Sequence, residues 1–274
     1  MAAASPTARA RRMKPGRIAY LGFVAAVYAF LLLPLVIVVV ASFNAGRYLT
    51  FPPEGFSLRW YANFFNSQPF MDSLAVSLEL AALAMVCATL LGTATALYAV
   101  RFAGRLREVC RLLVIAPLLL PEILTAIALL FFVYDIGLQR WSFLNLLIGH
   151  TLITLPFVFL SVSASLYNFD KSFEEAARSL GADRFTTFRR VTLPIIKPGV
   201  IAGAMLAFIV SFDLFAISLL LKGIGVTPLP IQLFDYVRWD FDPTAAAVST
   251  VSIVITLGAV LLTERLVGLR SLRF

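Results

Sequence analysis

Most of this chain consists of apolar runs too long for an ordinary soluble core, and they limit what it can fold into. A helix needs about 20 apolar residues to cross a bilayer. Six stretches qualify: Ile18–Ala41, Leu74–Val100, Leu112–Tyr134, Phe143–Tyr167, Pro198–Leu221 and Ala245–Leu262. No strand-rich region, low-complexity tract or coiled coil lies between them. The expected fold is all-α, a polytopic membrane protein with six transmembrane helices. Composition agrees: 60% of residues are hydrophobic and 14% charged, where a soluble domain carries about 25% charged residues.

The net charge of +8 could suit nucleic acid, but the placement of the cations points to a lipid bilayer instead. Basic residues gather at the ends of the apolar runs, as the bias towards cytoplasmic loops requires. With the N-terminus inside, the first tail holds Arg9, Arg11, Arg12, Lys14 and Arg17. The loop after the second span holds Arg101, Arg105, Arg107 and Arg111. The loop after the fourth holds Lys171, Arg178, Arg184, Arg189, Arg190 and Lys197, and the C-terminal tail holds Arg265, Arg270 and Arg273. Together these are 18 of the 23 Lys and Arg residues. Both termini are therefore expected in the cytoplasm. The first apolar run exceeds the 7–15 residues of a signal-peptide core, so it reads as an uncleaved first span.

Several chemistries lack their residues. No phosphate-binding G-x-x-x-x-G-K-[ST] loop, nucleophile elbow or metal-spaced His/Cys/Asp cluster occurs, so enzyme readings have little to stand on. Cys87 and Cys110 suggest neither a disulfide framework nor a metal site. His150, the single histidine, reads as a packed, hydrogen-bonded residue and is assigned no role.

Small residues predict the packing. Gly199, Gly203, Ala207 and Ser211 recur every fourth position in the fifth span, as do Ala84, Ala88, Gly92 and Ala96 in the second. Each set falls on one helix face, where membrane helices can approach closely. Pro34, Pro117, Pro121, Pro156 and Pro198 lie in or at the ends of spans. Pro117 and Pro121 bracket a Leu triplet just before Glu122, which suits either a bend beside a pathway or a plain kink. The loop Ser42–Asp72 is rich in aromatics, and a short amphipathic helix is expected near Leu58–Phe65. It reads as an interfacial anchor or as a contact for an extracytoplasmic partner.

Three acids fall within spans: Glu79, Glu122 and Asp213. Charge at mid-bilayer costs roughly 2.5–3.5 kcal/mol on insertion scales, so each should face protein or a wet cavity. If Glu122 and Asp213 line one pathway, they favour a cationic solute by charge complementarity. Seams of buried, hydrogen-bonded or protonated acids are the alternative.

The segment between the fourth and fifth spans is polar, and its spacing predicts a docking surface. Ser172 can cap a helix over Phe173–Leu180, with Glu175 three residues on as in a capping box. Glu174 and Glu175 suit the positive end of the helix dipole. Ala176 and Ala177 leave a low surface that another protein can approach. Gly181 can take the left-handed conformation that ends a helix. Arg184, Arg189 and Arg190 can pair with acids or anionic lipid, and Leu193-Pro194 leads into the fifth span.

Glu175-Ala176-Ala177, Gly181 after three further residues, Val191, then Leu193-Pro194 resembles the EAA loop of ABC-importer permeases. Ser42-Phe43-Asn44, Gly55-Phe56-Ser57 with Trp60-Tyr61, Pro121-Glu122-Ile123, Ser211-Phe212-Asp213 and Leu229-Pro230 extend the likeness. Together they resemble the spermidine/putrescine permease C-type branch over most of the chain. That resemblance implies a type I ABC importer permease fold in a bacterial inner membrane. It implies a second, non-identical permease subunit, two ATPase subunits that use ATP and Mg, and a periplasmic solute-binding protein, with no cofactor on this chain. Coupling to the ATPases would fall on Glu174, Glu175, Ala176, Ala177, Leu180, Gly181, Leu193 and Pro194, and the substrate pathway on Asp213 and Glu122. The chain divides into residues 1–71 (tail, first span and outer loop), a permease core at 72–264 containing the coupling loop 168–197, and a tail at 265–274. Polyamine is the expected cargo. Other small nitrogenous solutes (aminobutyrate, aminophosphonate, opine) are the alternative, because Leu214 stands where the branch often carries a second acid and Glu122 where it usually carries Asp. A stand-alone secondary transporter and a membrane scaffold are the rival classes.

Overall fold

The computed structural model describes residues 15–267; the expected tail cations at 9–14 and beyond 267 lie outside the described residues. Helix α1 spans Pro15–Ala41 and α2 Arg59–Asn66. Helix α3 spans Gln68–Arg101, α4 Arg107–Leu119 and α5 Glu122–Asp135. Helix α6 spans Ser142–Tyr167, α7 Ser172–Ser179 and α8 Arg184–Thr187. A π-turn at Phe188–Thr192 leads into α9, Leu193–Phe212. Then come α10 at Phe215–Leu221, α11 at Leu229–Val237 and α12 at Thr244–Val267.

The centre of the body is α3, α6 and α9. Their small faces are buried as the spacing predicts: Ala84, Ala88, Gly92 and Ala96 on α3, and Gly199, Gly203, Ala207 and Ser211 on α9. Val158 of α6 meets both faces. A Cβ added to Gly92 would sit 2.8 Å from Val158 Cβ, and one added to Gly203 would sit 2.8 Å from Val158 Cα. Glycine is required at both places because backbone meets its neighbour with no room for a side chain. A second cluster joins Leu80, Ala126, Leu146, Ile153 and Ile217, and a third joins Phe64, Phe70, Ala81, Phe212, Leu229 and Val248. Helix α1 is apolar all round; no residue of its most apolar stretch is buried, and Ala41 at its end is. A helix of that pattern without protein cover faces lipid or another subunit.

Two expected spans are not single helices. The third breaks at Leu120-Pro121, and α4 and α5 meet at 103°. Pro121 has no N–H and forces Leu120 into an extended conformation (φ −88°, ψ 146°). Among the described residues, five helices are therefore long and apolar enough to cross a membrane, or six if the bent pair counts as one span. The fifth span ends at Phe212 and resumes at Phe215, with Leu214 extended (ψ 103°). Neither Gly nor Pro stands at that break; tertiary contacts hold it.

Candidate functional site

The predicted docking segment folds as a short helix with a stop at the expected glycine. Gly181 has φ +88°. Its N–H bonds to the Arg178 carbonyl at 2.9 Å, and the Ala182 N–H bonds to the Ala177 carbonyl at 3.1 Å. This pair of bonds closes a helix end through a left-handed residue. The start differs from expectation. Ser172 is the first helical residue and makes no side-chain cap bond; Asp170 Oδ1 accepts the Ser172 N–H at 2.9 Å instead. The capping box fails because Asp170, two residues earlier, reaches the free N–H first. That backbone bond, with a bond to the Ser172 side chain, holds the Asp170 carboxyl below its usual range.

The eight site residues of this segment do not share one face. Glu175, Ala176 and Gly181 are exposed, Ala177 is half-buried, and Leu180 is 90% exposed. Leu180 thus stands bare beside two alanines and the turn at Gly181. Leu193 and Pro194 lie exposed in the first turn of α9. Glu174 turns the other way. It is 7% exposed, its Oε1 lies 2.7 Å from Arg101 NH2, and the same oxygen accepts the Thr192 hydroxyl.

The second part of the site is where the two helix breaks meet. Glu122, the first residue of α5, accepts the Ala216 N–H at 3.1 Å through Oε1. It thereby satisfies a backbone donor freed by the break at 213–214. His150 of α6 splints the same break. Nδ1 lies 2.8 Å from Ser211 Oγ and Nε2 3.0 Å from Ser218 Oγ, one serine on each side. Ser218 already donates its hydroxyl to the Leu214 carbonyl, so Nε2 carries the proton and Nδ1 accepts from Ser211. His150 is buried, as a packed histidine should be. His150→Leu strips both serines of this partner and is expected to cost about 1–3 kcal/mol, read as a lower thermal unfolding midpoint in detergent. An unchanged midpoint would show that the splint contributes nothing.

Asp213 sits at the α9 break and opens onto a groove of about 440 Å³. Leu35 of α1, Leu229, Pro230 and Leu233 of α11, and Ser252 and Thr256 of α12 line it, and Asp213 is its one charged residue among the described residues. Glu122 does not line this groove, so the two acids share the junction of the breaks but not one cavity. Glu79 is exposed on α3.

The sequence profile of the binding-protein-dependent transport system inner membrane component matches residues 88–269. The chain belongs to that family. The match takes in both helix breaks, the docking segment and α12. The spermidine/putrescine transport system permease protein PotC of Haemophilus influenzae is 36% identical over 247 residues, covering 88% of this chain and 93% of the relative. PotC of Escherichia coli is 35% identical over 251 residues, covering 91% and 94%. The putrescine transport system permease protein PotI of Escherichia coli is 35% identical over 240 residues, covering 85% and 83%. A bacterial ABC transporter involved in the import of the acidic polysaccharide alginate has the same fold: TM-score 0.70, 16% identity, covering 94% of this chain and 96% of that one. The resemblance to polyamine permeases and the type I permease fold both hold, and the relatives are transport subunits.

The loop between α1 and α2 is held by its own side chains. Asn44 Oδ1 accepts the N–H groups of Gly46 and Glu54, and its carbonyl accepts Trp60 Nε1 at 2.7 Å. Ser42 Oγ and Tyr61 OH share a bond of 2.7 Å. The Ser-Phe-Asn and Trp-Tyr pairs therefore stitch this loop to α2, which forms at Arg59–Asn66 as expected. Trp60 and Phe64 are buried, while Phe51, Phe56 and Phe65 stay exposed. Sequence reasoning missed Arg101, Thr192, Asn44 and the serines of His150. Only Asn44 and Ser211 had a signal, through the motifs in which they stand.

Proposed function

We propose that this chain is one permease subunit of an ATP-driven importer, and that its cargo is a polyamine such as spermidine or putrescine. A solute-binding protein delivers the cargo at the end of the body that carries α2 and α11. Two ATPase subunits, using ATP and Mg, seat against Glu175, Ala176, Ala177, Leu180 and Gly181 at the opposite end, and a second, non-identical permease subunit completes the pathway. The clustering of Lys and Arg supports placing that opposite end, and both termini, in the cytoplasm of a bacterial inner membrane.

The observation that carries the cargo assignment is the groove at Asp213. Its walls are apolar with a few hydroxyls, and it presents one carboxylate. A methylene chain with a cationic end matches both features. Asp213→Asn is expected to lower uptake of putrescine or spermidine at least tenfold, since about 1.4 kcal/mol of lost charge pairing is a tenfold change. Uptake of a neutral solute by the same proteoliposomes should change little. Equal losses for both would remove Asp213 from cargo selection.

A single acid in the groove, with Leu214 beside it, also suits a solute with one cationic centre, such as aminobutyrate. Competition of labelled putrescine uptake by aminobutyrate and by spermidine separates the two readings.

A further inference from the structure

We infer that Arg101 is a positioning residue: it ties the docking helix α7 to the central helix α3, so that movement of α7 is delivered to the body of the permease. The inference rests on the proposed role of α7 as the ATPase seat and extends it to the route by which force leaves that seat.

Arg101 is the last residue of α3. Its guanidinium NH2 lies 2.7 Å from Glu174 Oε1, and neither side chain is more than one-fifth exposed. Its Cζ also lies 5.4 Å from the centre of the Phe169 ring, just past the end of α6. Thr192, fully buried in the turn that opens α9, donates to the same Glu174 oxygen. The other carboxylate oxygen faces only Arg178 NH2, at 3.9 Å. One buried carboxylate of α7 thus meets the end of α3 and the turn that opens α9, and its partner Arg101 lies against Phe169, just past the end of α6. Among the described residues, no partner lies along a hydrogen bond from that Arg101 nitrogen, so the tie is one of charge at close range.

Helix α7 otherwise packs on α8 and the π-turn, which lead covalently to α9, and it is joined to α6 through residues 168–171, where Phe173 meets Phe169. A displacement of α7 reaches α6 and α9 through the chain, and this ion pair is its direct tie to α3. Charges held out of water interact strongly, and an unpaired one is costly. The pair therefore moves as a unit with whatever pulls on α7. The seat itself (Ala176, Leu180, Gly181) is exposed away from this pair, so loss of Arg101 leaves the docking face in place.

The test reconstitutes the full complex with its ATPase and binding-protein partners and measures solute imported per ATP hydrolysed. Arg101→Gln is expected to keep the ATPase subunits bound and ATP hydrolysis running, while the imported-to-hydrolysed ratio falls at least tenfold. Arg101→Lys, which keeps the charge, should retain most of the ratio. Three results would overturn the inference: an unchanged ratio in Arg101→Gln, loss of the ATPase subunits from it, or uptake and hydrolysis falling together at constant ratio. Should Arg101→Gln not accumulate, Arg101→Lys decides in its place: a ratio near the unsubstituted value supports the tie, and a tenfold loss refutes it. If the unsubstituted complex itself hydrolyses no ATP, the proposed function fails first, and that result cannot be confused with failure of Arg101.

Discussion

Gly181→Asp is expected to abolish uptake and to reduce co-purifying ATPase subunits to background, with the permease still present in the membrane at its usual amount. At φ +88° an L-residue pays about 1–2 kcal/mol for a left-handed backbone. Space is not the obstacle, because nothing lies within 4 Å of the position a Cβ would take. The cost falls on an eight-residue helix, which has little stability of its own to lose. Relief of the strain re-aims Leu180 and frees the carbonyls of Ala177 and Arg178 that the turn satisfies. The central seam contains none of these residues, so insertion and folding in the bilayer proceed. Glu175→Lys should act in the same direction by placing a cation at the positive end of the helix dipole on an exposed face. Normal uptake together with normal ATPase recovery in both variants would refute the docking role of this segment.

Gly203→Leu is expected to have the opposite profile: little or no folded protein in the membrane, whatever its partners do. Its Cβ would stand 2.8 Å from Val158 Cα and 3.2 Å from Ser161 Cβ. Backbone cannot step aside as a flexible side chain can, so the overpacking cost approaches or exceeds about 3 kcal/mol. Gly92→Leu meets the same helix from the other side, with Val158 Cβ at 2.8 Å and the Leu155 carbonyl at 3.1 Å. Gly22→Leu and Gly258→Leu are the controls, since nothing lies within 4 Å of either. Yield and thermal unfolding midpoint in detergent check the prediction. A Gly203→Leu protein as stable as the Gly258→Leu control would show that the seam can open to admit a side chain.

The parts of this fold that depend on periodicity are legible in the sequence. Gly92, Gly203 and Ala207 stand every fourth residue on faces that must be small, and they are buried. Gly181 was legible because a left-handed stop after a short helix favours one residue type. Features made by residues distant in sequence were not. Glu174 and Glu175 look alike in the sequence, but neighbours on a helix point about 100° apart, so only one can face the bundle. Which one is decided by Arg101, 73 residues upstream. The break at Asp213-Leu214 carries no proline or glycine; His150 and Glu122, from two other helices, hold it. Pro121 announced a kink but not its 103°, which depends on where α5 finds its partners in α6 and α10.

Contact of Gly92 and Gly203 with the same residue of α6 leaves no slack between the three middle helices. A block packed backbone to backbone resists gradual deformation, so a passage opened first to one side and then to the other cannot be made by bending it. The block must swing whole, as a crank does, and the give must come from the jointed pieces at its margin.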